Sequence, residues 1–435
     1  MSSVILRPIS GGGMRLHKSA TSLMKGMLGT FFAVYCMVQF VRKDEVLKDL
    51  SPIKPSGTRI IENSKRRIEN EIKDKEGIMF TPLREPHFIA EEVLTRSDIK
   101  LEERMTSHSS RHASPKIILS WNAGHTQGNL GGCPDWNCKL THDRGKLKKA
   151  DAILLAHSEP FLNRTTDQYV VYFSQESPVN SRIEVPYRDF FNMSLGFRHD
   201  TPASSPYGYT VKLKGNSRYF AEVINATRVQ KKKKGAAWFV SHCPTNSKRE
   251  RYVKQLQKDF PVDVYGDCGT LKCARGGECE NMLDDSYHFY IAFENSICDD
   301  YITEKLWNQG YRRDIIPIVL KRSLVEQLVP PNSFIAADDF NTTKDLAAHL
   351  HYLMFNKSAY TEYFQWRREY KVVFLDGKNH DALERPWGFC QLCRLLWEKP
   401  RPHFSIQDFN KWWDQTCEKD GELVRRLLGE LPMNN

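Results

Sequence analysis

The chain has 435 residues, of which 40% are hydrophobic and 11% aromatic, so it can hold two domains of ordinary size with real cores plus extensions. Its net charge of +10 suggests an anionic partner or surface. Lys and Arg are scattered, however, and no nucleic-acid-binding signature occurs, so nucleic acid is not an expected partner.

Residues 1–20 carry Arg7, Arg15 and Lys18 and no acidic residue. Met27 to Val41 is apolar. With Ser22 to Met24 and a snorkelling Lys25 it makes a span of about 20 residues, the length that crosses a bilayer. We therefore expect a cytoplasmic tail over 1–21 and a retained signal-anchor over 22–41. Met37 to Val41 lacks the small residues that a signal-peptide cleavage site needs. Of 11 cysteines, Cys36 falls in the anchor and the other ten lie beyond it, an even number suited to an oxidising compartment. N-glycosylation sequons stand at Asn163, Asn192, Asn225, Asn341 and Asn356. Residues 42–114 are rich in charge and poor in aromatics. Ile61, Ile68 and Ile72 suit one amphipathic helix, and the segment reads as a stem holding the rest off the membrane.

A first Rossmann-like domain is expected over 115–230. Lys116 to Gly124, Asp151 to Glu159 and Gln168 to Ser177 are apolar runs with polar ends, the pattern of parallel strands with chemistry at their carboxyl ends. The third ends in Glu176. A carboxylate at the end of a buried strand is expected to have a raised pKa, as a general base near neutrality requires; capping a helix or stabilising a turn is its other reading. Trp121 and His157, at neighbouring strand ends, could line the same cleft or pack in the core. Phe190 to Gly208 is aromatic-rich and carries Arg198, Asp200 and Tyr207, types that bond sugar hydroxyls or stack on sugar rings. Asp200 could equally cap the following turn.

Lys231 to Lys234, closed by Gly235, reads as a solvated interdomain connection. A second Rossmann-like domain is expected over 231–375. Ala236 to Cys243 would be its first strand with Ser241 at the end; a helix follows from about Asn246, and Val262 to Gly266 is the next strand. The insertion after Tyr265 holds Cys268, Cys273 and Cys279, a spacing unlike zinc sites. Disulfides suit it better, with Cys298 or Cys243 supplying the missing partner. Phe289 to Phe293 is a strand apolar on both faces that stops at Glu294-Asn295-Ser296. Asp299 and Asp300 stand where a helix N-cap would be, and Tyr301 to Leu306 would continue as helix before a strand at Ile315 to Leu320. Ligand phosphates are commonly held between such a strand and helix. A short strand at Ser333 to Ala336, a helix at Asp345 to Met354 and a C-terminal return over 376–435, with the CxxC pair Cys390 and Cys393, complete the chain.

Phe289 to Trp307, FYIAFENSICDDYITEKLW, resembles the signature of the α1,3-fucosyltransferases, which move fucose from GDP-fucose to the 3-hydroxyl of N-acetylglucosamine. The resemblance runs over roughly residues 115 to 418. It implies an α/β fold of the GT-B type, two Rossmann-like domains facing a cleft, acceptor side first. Glu176, in Glu-Ser-Pro, matches the catalytic base of an inverting single displacement. Trp121, His157, Arg198, Asp200 and Tyr207 fall on the acceptor side. On the donor side, Arg249 matches the arginine used on the diphosphate, where a planar fork can bond two oxygens. Lys305 adds a charge near the leaving phosphate, Glu304 fits a contact to the nucleotide sugar, and Ser241, Tyr265, Glu294, Asn295, Ser296 and Tyr301 complete the set. Two disulfides are implied from Cys390 and Cys393 to early cysteines, whose place Cys133 and Cys138 hold.

No metal ion is required by this arrangement, because fixed cations neutralise the departing GDP; stimulation by a divalent metal stays open. N-glycans on glycoproteins are the implied acceptors, at the Golgi membrane with the catalytic part lumenal. The cysteine-bearing insertion, Cys298 and the segment ending in Cys417 look more like the invertebrate enzymes acting on the N-glycan core than the Lewis-type antennary enzymes. A non-catalytic glycan-binding protein on the same fold is the competing class.

Overall fold

Apolar runs too uniform for a half-solvated sheet fold here as parallel strands covered on both faces. The computed structural model describes residues 90–96, 113–131, 133, 137–159, 162–185, 187–218, 222–274, 276–375 and 387–432. The expected tail, anchor and most of the stem, with Cys36, lie outside the described residues. No helix among the described residues is long and apolar enough to cross a membrane.

The first described strand is β1 (Ala90–Leu94). A parallel sheet follows, built from β2 (Lys116–Ser120), β3 (Cys138–Thr141), β4 (Ala152–Leu155), β5 (Tyr169–Tyr172) and β6 (Met193–Ser194) in the order β3-β2-β4-β5-β6. After β7 (Gly208–Leu213) comes a second parallel sheet of β8 (Lys234–Phe239), β9 (Val262–Tyr265), β10 (Tyr287–Ile291), β11 (Ile316–Val319) and β12 (Ile335–Ala336), ordered β12-β11-β10-β8-β9. A third, antiparallel sheet sets β7 between β1 and β13 (Tyr370–Phe374), so chain from both halves meets in it.

Each parallel sheet is buried by helices. Against the second sheet, α1 (Arg249–Leu256) brings Tyr252, Val253 and Leu256 onto the face of Phe289 and Ile291. On the other face, α2 (Lys305–Tyr311), a π-helix, brings Leu306, Trp307 and Tyr311 onto Tyr290 and Ala292. The long helix α3 (Thr343–Phe355) adds Leu346 and Leu350 to the first of these layers.

The first sheet is covered largely by the far end of the chain. In α4 (Gly388–Trp397) Phe389, Leu392 and Leu395 pack on Ile118, Leu154 and Val171, and in α5 (Phe409–Asp414) Phe409 and Trp413 pack on the opposite face with Tyr172. Each such fully buried side chain contributes roughly 1.5–3 kcal/mol. The disulfides Cys133–Cys390 and Cys138–Cys393 bind α4 to the sheet it covers, as the resemblance implied. A final helix, α6 (Glu422–Leu427), returns to the second half.

Three expectations need correction. Residues 90–96, read as stem, belong to the fold: β1 pairs with β7 from Ala90 opposite Leu213 to Leu94 opposite Thr210. The lysine run is solvated only in part: Lys231, Lys233 and Lys234 are exposed, but Lys232 is not. Lys232 is buried and donates to the carbonyls of Leu283 and Tyr287 at 3.0 and 2.6 Å, while Lys234 and Gly235 already belong to β8. Asp299 and Asp300 do not cap the signature helix, which begins several residues later with Glu304 at its N-cap and no side-chain cap bond; Glu294 instead holds the preceding turn, accepting from Thr303 N and Oγ1 at 2.8 and 2.9 Å.

Candidate active site

The strand ends that carry polar residues converge where the two halves meet. Just beyond β5, Glu176 points its Oε1 at four donors. These are Tyr301 Oη at 2.6 Å, Ser177 N at 2.8 Å, Asn295 Nδ2 at 3.2 Å and Asn180 Nδ2 at 3.4 Å. Two of the four come from the signature in the second half. A buried bond between Ser177 Oγ and Ser296 Oγ, 3.0 Å, closes the same junction. Oε2 has no hydrogen-bond partner among the described residues.

This bonding reverses the expected electrostatics of the carboxylate. Burial pushes the Glu176 carboxyl up, but the hydrogen bonds, led by Tyr301, outweigh it and hold it below the ordinary glutamate value. Tyr301 itself is driven well above the usual tyrosine range by burial and by Glu294 and Glu176, so it stays a proton donor. Its ring is wedged in the first half's core, edge-on to Phe197 at 5.0 Å.

The loop carrying Glu176 is braced from the acceptor-side segment. Tyr207 donates to the Gln175 carbonyl at 2.6 Å, and Gln175 Nε2 donates to Ser205 O at 2.8 Å. Gly196 lies so close that a Cβ would stand 2.6 Å from Ser174 O. Arg198 clasps Asp200, bonds the Trp412 carbonyl at 2.9 Å and stacks on the Trp412 ring at 4.3 Å, while Trp412 Nε1 donates to Asp200 at 3.0 Å. Trp412 is therefore part of this wall; nothing in its own sequence neighbourhood points there from 212 residues away.

Farther along the first sheet's edge, Trp121 Nε1 donates to Glu159 at 2.8 Å under the Arg144 guanidinium, 4.3 Å away. His157 is tied in through its carbonyl, which accepts from Asn122 at 3.2 Å.

On the second half, a small recess opens beside the signature, lined by Glu294, Ser296, Tyr301 and Lys321 among others. Lys305 Nζ lies 3.0 Å from Glu294, 3.4 Å from Glu304 and 2.8 Å from Thr303 Oγ1. Burial pushes the Glu294 carboxyl up, opposed by Lys305. The Thr303 N–H, just before α2, is taken by Glu294.

Arg249 is buried rather than open to a ligand fork. Its Nη1 and Nη2 donate to the carbonyls of Phe293 and His242 at 2.5 and 3.2 Å, and burial lowers its pKa against the pull of Glu294. Its Nε is buried without a partner. Ser241 is exposed at the end of β8. Tyr265 is turned away: it is in the core, with its hydroxyl 2.7 Å from that of Tyr287 at the start of β10.

The remaining cysteines pair as Cys243–Cys268, Cys273–Cys279 and Cys298–Cys417, which settles the insertion and ties the signature to the tail. No group of three or more His, Cys, Asp or Glu that could hold a metal ion occurs among the described residues. Asp300 is engaged by Arg96 at 3.2 Å. Of the sequons, Asn163, Asn225 and Asn341 are exposed, whereas Asn356 is half-buried with its Nδ2 on Tyr352 Oη at 2.9 Å. Asn192 is buried, with Nδ2 donating to Phe404 O at 2.9 Å, so the folded chain has no room for a glycan there.

Two family profiles match the chain: "Fucosyltransferase, N-terminal" over residues 113–208, and "Glycosyltransferase family 10 (fucosyltransferase) C-term" over 229–412. The chain is 59% identical over 357 residues to alpha-(1,3)-fucosyltransferase fut-1 of Caenorhabditis elegans, covering 82% of each. It is 32% identical over 319 residues to alpha-(1,3)-fucosyltransferase C of Drosophila melanogaster, covering 67% of this chain and 72% of that one. A crystal structure of an alpha1,3-fucosyltransferase with GDP-fucose is similar at TM-score 0.46 and 17% identity, covering 72% of this chain and 96% of that one.

Proposed function

This chain belongs to the glycosyltransferase family 10 fucosyltransferases, and we propose that it moves L-fucose from GDP-fucose to the 3-hydroxyl of an N-acetylglucosamine in N-glycans, core or antennary. It is an enzyme of the α1,3-fucosyltransferase type. The observation that carries the mechanism is the carboxylate of Glu176, held from across the junction by Tyr301 and Asn295 with Oε2 free.

In this reading Oε2 takes the proton of the acceptor hydroxyl as that oxygen attacks the anomeric carbon of fucose. The bond from that carbon to the diphosphate breaks, the configuration inverts, and GDP departs with the added negative charge. A carboxylate held below the ordinary glutamate value is a weak base, so positioning carries much of the effect. Lys305 supplies positive charge for the leaving diphosphate by exchanging Glu294 and Glu304 for it. Arg249 contributes its buried charge and fixes the loops at His242 and Phe293 rather than gripping two phosphate oxygens. Ser241, Ser296, Asn295, Glu294 and Glu304 are proposed around the donor, and Trp121, His157, Arg198, Asp200 and Tyr207 around the acceptor.

The two parallel-sheet halves meeting at one site fit a GT-B arrangement. A single-pass Golgi protein with its catalytic part in the lumen is the proposed setting. It is supported by the basic N-terminus, the apolar 22–41 segment and five disulfides among the described residues. Incubating the full chain with GDP-fucose and a panel of N-glycans, followed by linkage analysis, tests the reading. A fucose on O3 of N-acetylglucosamine supports it, and its position reports core or antenna. Transfer to another hydroxyl, or no transfer, rejects it.

A further inference from the structure

The matched family region begins at residue 113, yet a segment before it reaches the signature. β1 leads directly into Thr95 and Arg96. Thr95 Oγ1 lies 2.9 Å from His199 Nδ1, and Arg96 Nη1 lies 3.2 Å from Asp300 Oδ1. Asp300 is 4% exposed, and its other oxygen accepts from His199 N at 3.0 Å. Its φ of 61° is left-handed, a conformation that Asp tolerates better than most residues but that its surroundings must hold. The next residue is Tyr301, whose hydroxyl reaches Glu176 at 2.6 Å.

A buried carboxylate without a counter-charge draws in water or shifts its backbone. At Asp300 such a shift would pass straight to Tyr301. We propose that Arg96, from the segment preceding the family-profile match, is a positioning residue for fucosyl transfer: by neutralising Asp300 it fixes the turn that sets Tyr301 on Glu176. This rests on Glu176 being the base. The arginine touches no reacting atom; its effect reaches the chemistry through Asp300 and Tyr301.

The test uses the full chain carrying Arg96→Met, Arg96→Lys, Tyr301→Phe, the Arg96→Met/Tyr301→Phe double change and, as control, Glu92→Gln. The control removes only an ion pair between β1 and Lys212 at 4.0 Å. Turnover is followed against pH, and GDP binding is measured separately. Arg96→Met is expected to slow turnover about ten- to a hundredfold, to leave GDP binding unchanged and to move the acid limb of the profile to higher pH. Arg96→Lys should recover most of the rate, Glu92→Gln should match the parent, and Arg96→Met should add little to Tyr301→Phe.

Parent-like turnover in Arg96→Met would overturn the proposal, as would a loss with an unmoved acid limb or a double variant in which the two losses multiply. If Arg96→Met does not fold, Arg96→Gln takes its place under the same criteria. A parent that transfers no fucose rejects the functional reading instead, and a parent active with Glu176→Gln rejects the base.

Discussion

Tyr301 and Glu176, 125 residues apart in the chain, share a 2.6 Å hydrogen bond that crosses from the second half of the molecule to the first. The signature in the second half thus fixes a carboxylate that the first half carries.

Removing that bond alone should be visible in the pH profile. Burial tends to raise the Glu176 carboxyl, and the bond from Tyr301 leads the opposing contributions, so Tyr301→Phe should raise its pKa. The acid limb of kcat/KM then moves to higher pH, with a rate loss of about ten- to a hundredfold on the plateau. An unmoved limb would mean that the tyrosine does not act on the base.

Lys232 predicts a pH-dependent stability unrelated to catalysis. Burial pushes its pKa down to about 7, against the pull of Asp284, Asp314 and Asp285. Between that value and the ordinary 10.5 the unfolded chain binds more protons than the folded one, so stability rises with pH, by up to about 1.4 kcal/mol per pH unit. Lys232→Met lacks this slope. The parent's Tm should gain on the variant's from pH 7 to 9; a constant difference would contradict the buried, neutralised lysine.

The two bonds holding α4 close nearly the same loop, of 257 and 255 residues. With either one intact, the other closes only the short segments between the two bridges. Replacing Cys133 and Cys390 by serine, or Cys138 and Cys393, should therefore cost about 2–3 kcal/mol. Replacing all four should cost more than twice that, because the long closure is then lost as well. Denaturant unfolding of the three variants measures this, and equal, additive losses would count against it.

The parallel strands were legible because β4, β5, β10 and β11 are buried on every residue and read as unbroken apolar runs. Glu176 stood out by its place at a strand end. Its lowered pKa did not, because two of its four donors, Tyr301 in the lead, arrive from 125 and 119 residues away. Lys232 looked solvated because charge runs usually are; only the fold shows two carbonyls waiting for it. The start of α2 was misplaced because Asp300 turns left-handed and spends its carboxylate on Arg96 and His199 N instead of capping the helix. Asn192 matched a sequon, but its side chain bridges Val170 N and Phe404 O inside the first half.

The central claim is that Glu176 takes the acceptor's proton. Glu176→Gln keeps the shape and can still accept a hydrogen bond from Tyr301, but it lacks the basic oxygen. The decisive measurement is single-turnover transfer from GDP-fucose by this variant at neutral pH, with GDP binding measured alongside. Binding should be unchanged while turnover falls about a hundred- to ten-thousandfold. Turnover equal to the parent would contradict the account.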